Sequence, residues 1–302
     1  GVRYDVESEV TVTAGATQAI FTAIAAFVRP GDEVIVFEPV YDSYVPAIET
    51  VGGTAVYAQL TFPDYVPDWD QVARLITPKT RMIIVNSPHN PTGSLFSTVD
   101  REKLAKLISG TNIVVLSDEV YEHILFDGEQ HASLCAHPEL AARSIVVSSF
   151  GKTYHITGWK IGYVVGPAAL MAEFRKVHQF NVFTVHTPSQ LALAEYMQDA
   201  GRHLRLAAFY EEKRDFFRQL LAATPFELLP CRGTYFQLAR YDRISDLPDR
   251  AFAEWMTRDV GVAVIPVSVF YANGRDDRVV RFCFAKQEST LRAAAERLCK
   301  AL

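Results

Sequence analysis

The sequence predicts an α/β protein: a mostly parallel sheet flanked by helices in a large domain, residues 1–208, and a smaller C-terminal α+β domain, residues 209–302. Three observations carry that reading. Between residues 9 and 165, apolar β-rich runs alternate with helical patterns, the signature of a doubly wound sheet. Several of those runs, IIV and IVVL among them, are continuously apolar, as strands buried on both faces must be. After Pro188 the pattern gives way to a long helical stretch and then to short strands.

In chain order, EVTVTA (9–14) reads as the first strand and TQAIFTAIAAFV (17–28) as the helix after it. PGD at 30–32 marks a turn before the strand EVIVFE (33–38), and VGG at 51–53 marks another. Asp68 and Gln71 have the spacing of a capping box ahead of VARLI, each side chain answering the other's backbone N–H. RMIIVNS (81–87) is the next strand, VDREKLAKLI (99–108) the next helix, and NIVVLSDE (112–119) and SIVVSSF (144–150) are further strands. The stretch SQLALAEYMQDAGRHLRLAAFYEEKRDFFRQLLAAT (189–224) reads as a connecting helix. TYFQLA (234–239), VAVIPV (262–267) and RVVRFCFA (278–285) are the strands of the smaller domain, and TLRAAAERLCKAL (290–302) is its closing helix.

Composition bounds the function. A chain of 302 residues with 49% apolar and 22% charged residues can bury a large core. The formal charge of -5, with no Lys/Arg cluster, argues against nucleic acid and against an anionic membrane surface as partners. The four cysteines, Cys135, Cys231, Cys283 and Cys299, are scattered without a CxxC pair or a histidine at ligand spacing. Neither a disulfide framework nor a metal site is indicated, and a reducing cytoplasm fits best. No apolar run is long enough to span a bilayer, and GVRYDVESEV lacks the basic and apolar regions of a signal peptide.

Four short segments concentrate unusual residues: AGATQAI from Ala14, NSPHNPTG from Asn86, SDEVYEH from Ser117 and SSFGKTYHITGWKIGY from Ser148. Three follow predicted strands directly, so the sheet is expected to bring them to one rim, at the carboxyl ends where open α/β sheets bind ligands. Singly, each has a plain account: a surface lysine, an aspartate cap, a turn at NPTG, an ordinary strand-to-helix junction. Together, the order and spacing of Asn90, Asp118, Tyr121, Ser149, Lys152 and Lys160 resemble the class I/II aminotransferases of fold type I, which depend on pyridoxal 5'-phosphate (PLP). The likeness is nearest to the branch of methionine and kynurenine/glutamine transaminases and runs from about Ser8 to Arg281.

The resemblance implies roles. Lys152 matches the lysine bonded to PLP, which also serves as base for the substrate's α-proton. Asp118 matches the carboxylate paired with the pyridine nitrogen, and Tyr121 and Asn90 the donors to the phenolic oxygen. Gly15, Ala16, Thr17, Ser149 and Lys160 match the phosphate cradle, at the positive end of a helix. Many relatives have arginine where GWKIGY has Lys160, so attraction with less fixed geometry is expected there. Tyr41, in EPVYDSY, matches the ring stacked on the cofactor. Arg281, with Asn90, matches the grip on the substrate carboxylate, against the plain alternative of a salt-bridged surface arginine. His89, His123 and His155 sit inside the motifs and are read as local hydrogen-bonding groups without a catalytic role.

The implied activity is ping-pong transamination between an amino acid, apolar, aromatic, methionine- or glutamine-like, and a 2-oxo acid, with VAVIPVSVFY lining the apolar side of the pocket. A PLP-dependent cysteine-conjugate carbon–sulfur β-lyase shares the same lysine and aspartate and is the alternative. A non-catalytic PLP-sensing regulatory domain is a third, although no basic helix-turn-helix is visible. Relatives form homodimers with active sites at the interface, and a homodimer is expected here. They also carry an amino-terminal arm, part of the small domain and a tyrosine that reaches the partner's phosphate before the point matching Gly1. A chain truly lacking that segment is expected to retain cofactor weakly.

Overall fold

The continuously apolar runs become strands because both of their faces are covered. In the computed structural model, which describes residues 2–199 and 201–302, β1 (Val10–Thr13), β2 (Glu33–Glu38), β3 (Thr54–Thr61), β4 (Val66–Pro67), β5 (Thr80–Asn86), β6 (Val114–Asp118), β7 (Ser144–Ser149) and β8 (Gly162–Val165) form one sheet. Its order is β1-β8-β7-β6-β5-β2-β3-β4. The central strands β7, β6, β5, β2 and β3 run parallel, while β8 lies antiparallel between β1 and β7. The fold is the mostly parallel, helix-flanked sheet expected of fold type I.

Successive residues of one strand feed two cores. Val34 and Val36 pack with Ile20 and Ile24 of α1 (Ala16–Phe27) and Ile48 of α2 (Tyr44–Thr50). Ile35 and Phe37 point the other way, toward Val72 of α3 (Trp69–Leu75) and Leu104 of α4 (Thr98–Ile108). Burying each such isoleucine or leucine contributes roughly 1.5–3 kcal/mol, which no half-polar strand at these positions would recover.

A second sheet joins β9 (Glu227–Leu228), β10 (Phe236–Arg240), β11 (Ile265–Pro266) and β12 (Val279–Cys283) in the antiparallel order β11-β12-β10-β9. The helices Leu206–Leu221, Asp249–Trp255 and Glu288–Ala301 bury Phe217, Phe252 and Leu291 in the core cluster that also takes in Phe282 of β12. That cluster also holds Tyr121 and Ile124, which follow β6, so the loop after β6 is clamped by the second sheet's core.

Three local expectations are corrected. The connecting helix is broken into Thr187–Tyr196, Gly201–Leu204 and Leu206–Leu221, residue 200 lying outside the described residues. Asp199 accepts from the backbone N–H of Gly201 at 3.0 Å, a local bond that competes with helix continuation. The VAVIPV strand shrinks to Ile265–Pro266 before a 3-10 turn at Val267–Phe270; Pro266 has no N–H to donate, and β11 is the sheet's edge. At Asp68 only half the capping box forms. Asp68 accepts from the N–H groups of Asp70 and Gln71, but the Gln71 side chain accepts from Gln59 N at 2.6 Å instead of returning to Asp68. The complete capping box is Ser97 with Asp100 at the start of α4.

The four cysteines are free thiols. No helix among the described residues is long and apolar enough to cross a membrane.

Candidate active site

Because β5, β6 and β7 are parallel, their last residues Asn86, Asp118 and Ser149 stand at one carboxyl rim. Gly162 of β8 pairs with both Thr13 of β1 and Ser149 of β7, which brings the start of α1 to the same rim. A Cβ on Gly162 would stand 2.6 Å from the carbonyl of Ser148 and 3.3 Å from the backbone nitrogen of Ala16, so only glycine permits that approach.

A cavity of about 280 Å³ opens at this rim. Gly15, Ala16, Thr17, Tyr41, Asn90, Asp118, Tyr121, Ser149, Lys152 and Lys160 all line it, with Asn86, Thr157, Tyr235 and Phe236 beside them. α1 begins without a side-chain cap, with Gly15 at φ 82° in the capping position. Its first N–H groups therefore face the cavity with the positive end of the helix dipole, which favours an anion. Lys160 stands opposite, held at φ 55° in the left-handed region.

Asp118 is 3% exposed. Its Oδ2 accepts from the Tyr44 hydroxyl at 2.6 Å, and Oδ1 accepts more weakly from Val120 N at 3.3 Å. Burial pushes the carboxyl up to about 6, with the Tyr44 bond pulling against it. Lys152, in the short helix Phe150–Thr153, donates through Nζ to the Tyr235 hydroxyl at 3.0 Å. Nζ lies 5.8 Å from the ring centre of Tyr121 and 5.6 Å from that of Tyr235. Burial, and then neighbouring Tyr235, holds the Tyr121 phenol well above its usual range, so it stays a proton donor.

Arg281, on β12, reaches the cavity through Asn90: Nη1 donates to Asn90 Oδ1 at 2.6 Å, and the guanidinium lies 4.0 Å from the ring centre of Phe236. Asn90 N donates to Asn86 Oδ1 at 2.8 Å, and Asn86 Nδ2 to the carbonyl of Asp118 at 2.9 Å. One hydrogen-bonded chain thus links the second sheet to the end of β6.

The remaining motif residues hold the loops. Glu119 accepts from Ser117, His131 and the N–H of Leu134, and Glu122 from Ser148 and Tyr163. His89 bonds Thr92 at 2.7 Å and is kept neutral by burial, which pushes it down to about 3. His155 bonds the Tyr210 hydroxyl, and His123 packs on His203 with ring centres 5.0 Å apart.

A lysine and a buried carboxylate beside an uncapped helix start are shared by many chemistries, and comparison with known proteins decides among them. The sequence pattern of aminotransferase class I and II matches residues 1–298. The chain belongs to the class I and II aminotransferases. Among members of the family, it is 51% identical over 299 residues to the methionine aminotransferase of Escherichia coli, covering 99% of this chain and 78% of that one. It is 35% identical over 334 residues to kynurenine–oxoglutarate transaminase 1 of Rattus norvegicus, covering 99% and 79%. An Escherichia coli crystal structure described as having a methionine aminotransferase function superposes with a TM-score of 0.97 at 50% identity, over 99% of this chain and 80% of that one. As an aminotransferase, the protein takes amino-acid and 2-oxo-acid substrates.

Sequence reasoning missed Tyr44, Tyr235, Asn86 and Phe236. Tyr44 carried a signal, lying three residues after Tyr41 at the start of a helix. Tyr235 carried none: TYFQLA reads only as a strand, and the contact with Lys152 spans 83 positions.

Proposed function

We propose that this aminotransferase uses pyridoxal 5'-phosphate to exchange amino groups between methionine or other apolar and aromatic amino acids and 2-oxo acids. The observation that carries the reading is the convergence of Lys152 and Asp118 on one cavity that also holds an uncapped helix start. The donor set fits that cofactor group for group: a lysine amine for an aldehyde, a buried carboxylate for a protonated ring nitrogen, and backbone N–H groups with Ser149 and Lys160 for a phosphate. When bound, the cofactor supplies an electron-withdrawing ring conjugated to the substrate's α-carbon.

This chain's residues then act as follows. Lys152 holds the cofactor covalently and, once its amine is free, takes the proton from the substrate's Cα. Asp118 keeps the ring nitrogen protonated, and Tyr121 and Asn90 donate to the phenolic oxygen. Tyr41, which lines the cavity, would flank the ring. Arg281, already fixed by Asn90 and Phe236, binds the substrate's α-carboxylate with its planar fork. The relatives' activities favour transamination over the carbon–sulfur β-lyase alternative. The test is the purified protein with a panel of amino acids and a 2-oxo acid acceptor. The 2-oxo acid of methionine is expected as product; pyruvate from a cysteine conjugate in place of any transamination would overturn the proposal.

We further propose a division of labour between residues 1–208, which carry the cofactor groups, and residues 209–302, which carry Arg281, in a cytoplasmic homodimer. Four exposed apolar side chains, from the end of helix Ala168–Asn181 to helix Gly201–Leu204, support the dimer. Phe180, Phe183, Leu191 and Leu204 are 87%, 80%, 68% and 71% exposed, more apolar surface than a lone subunit ordinarily leaves in water. A second copy of this chain covers it. Phe180→Asp combined with Phe183→Asp is expected to halve the mass measured by sedimentation, and an unchanged mass would place the interface elsewhere.

A further inference from the structure

Asp118 is the buried charge on which the proposed cofactor's hold depends, and its ionised form has little support. Among the described residues, one strong hydrogen bond reaches the carboxylate, from Tyr44, the first residue of α2. The other, from Val120 N, is 3.3 Å long, near the limit of useful strength. Tyr44 is itself 3% exposed, and its ring is set edge-on against Tyr41, centres 5.4 Å apart at 73°. Both aromatic residues thus come from one turn: Tyr41 faces the cavity while Tyr44 passes beneath it to the carboxylate.

We propose that Tyr44 is a positioning residue of this transamination site: its hydroxyl, 2.6 Å from Asp118 Oδ2, keeps that carboxylate ionised and aimed into the cavity, and so sets the pH below which the cofactor is released. A hydrogen bond donated to a carboxylate stabilises its charged form, and a bond to an ion is about twice as strong as a neutral one. The other titratable groups facing Asp118 are Tyr41, Tyr121, Lys152 and Glu119. Tyr41 and Tyr121 are held above the usual phenol range, by burial first; Glu119 opposes ionisation by its charge, and Lys152 favours it. Tyr44 is held well above the phenol range too, by burial and then by Asp118, so it remains a donor across the working range.

The inference rests on the proposed use of PLP, and its test separates the two. The dissociation constant of PLP is measured for the parent, Tyr44→Phe and Asp118→Asn proteins across a pH series. Relative to the parent, Tyr44→Phe is expected to weaken binding about tenfold near pH 6, and by less than about twofold near pH 9, where Asp118 ionises without help. A purely structural role would weaken binding by the same factor at every pH, and that result overturns the inference. If Asp118→Asn releases cofactor and Tyr44→Phe does not, the inference fails and the PLP reading stands. If the parent itself binds no PLP, both fail. Should Tyr44→Phe not fold, a fluorinated tyrosine at position 44 keeps the shape and donates more strongly. The low-pH loss of cofactor must then move to lower pH, and an unmoved profile overturns the inference.

Discussion

Lys152→Ala is expected to fold as the parent does and to lose transamination by ~10⁴-fold or more, because in the proposed reading one side chain both holds the cofactor and moves the substrate's proton. The fold should tolerate the change. Lys152 is half-buried, and its contacts are one hydrogen bond to Tyr235 and two distant aromatic faces, together worth about 1–2 kcal/mol. Initial rates with methionine and a 2-oxo acid give the kinetic result. Borohydride reduction followed by mass spectrometry gives the chemical one: the parent retains the cofactor's mass after denaturation, and the variant does not. Turnover within tenfold of the parent would remove Lys152 from the chemistry.

Asp118→Asn is expected to move activity and stability in opposite directions. In the role proposed for Asp118 an amide cannot keep the cofactor's ring nitrogen protonated, and losing such a preorganised charge costs about 10²–10³ in rate. The carboxyl's pKa is raised from 3.8 to about 6, chiefly by burial. An acid raised on folding keeps its proton in the folded state after the unfolded chain has released it. Stability therefore falls as pH rises from 3.8 to about 6, and the loss, on the order of 3 kcal/mol, persists above that window. Asparagine has no charge to desolvate, and its amide oxygen can still accept from Tyr44. The cofactor-free variant should therefore unfold several degrees higher than the cofactor-free parent at neutral pH, with the advantage vanishing near pH 4. A variant less stable than the parent at neutral pH would show that the carboxylate is better solvated than its 3% exposure implies.

Most of the large sheet was legible because its strands must be apolar on both faces, and IIV and IVVL cannot alternate. The β3 strand was missed because TAVYAQLT is half exposed and offers neither clean pattern. The β8 strand was hidden for another reason: GYVV begins on the last two residues of the Gly- and aromatic-rich run that ends at Tyr163, and its antiparallel direction depends on a connection with no sequence signature. At the ends of elements, side chains chose partners by distance in space. Gln71 has the spacing to answer Asp68, yet β3 offers it the backbone N–H of Gln59 instead.

The same distinction divides the site. Most motif residues from Ala14 to Ser149 stand on short junctions after strands, where spacing along the chain fixes what each side chain can reach, so sequence alone determined that Lys152, Asp118 and the start of α1 share one rim. It could not determine what holds those groups in their working state. Tyr44 reaches Asp118 across 74 positions, Tyr235 reaches Lys152 across 83, and Arg281 reaches Asn90 across 191. These hydrogen bonds follow from how the second sheet and α2 pack on the first, and no local pattern encodes a partner that only packing brings within 3 Å.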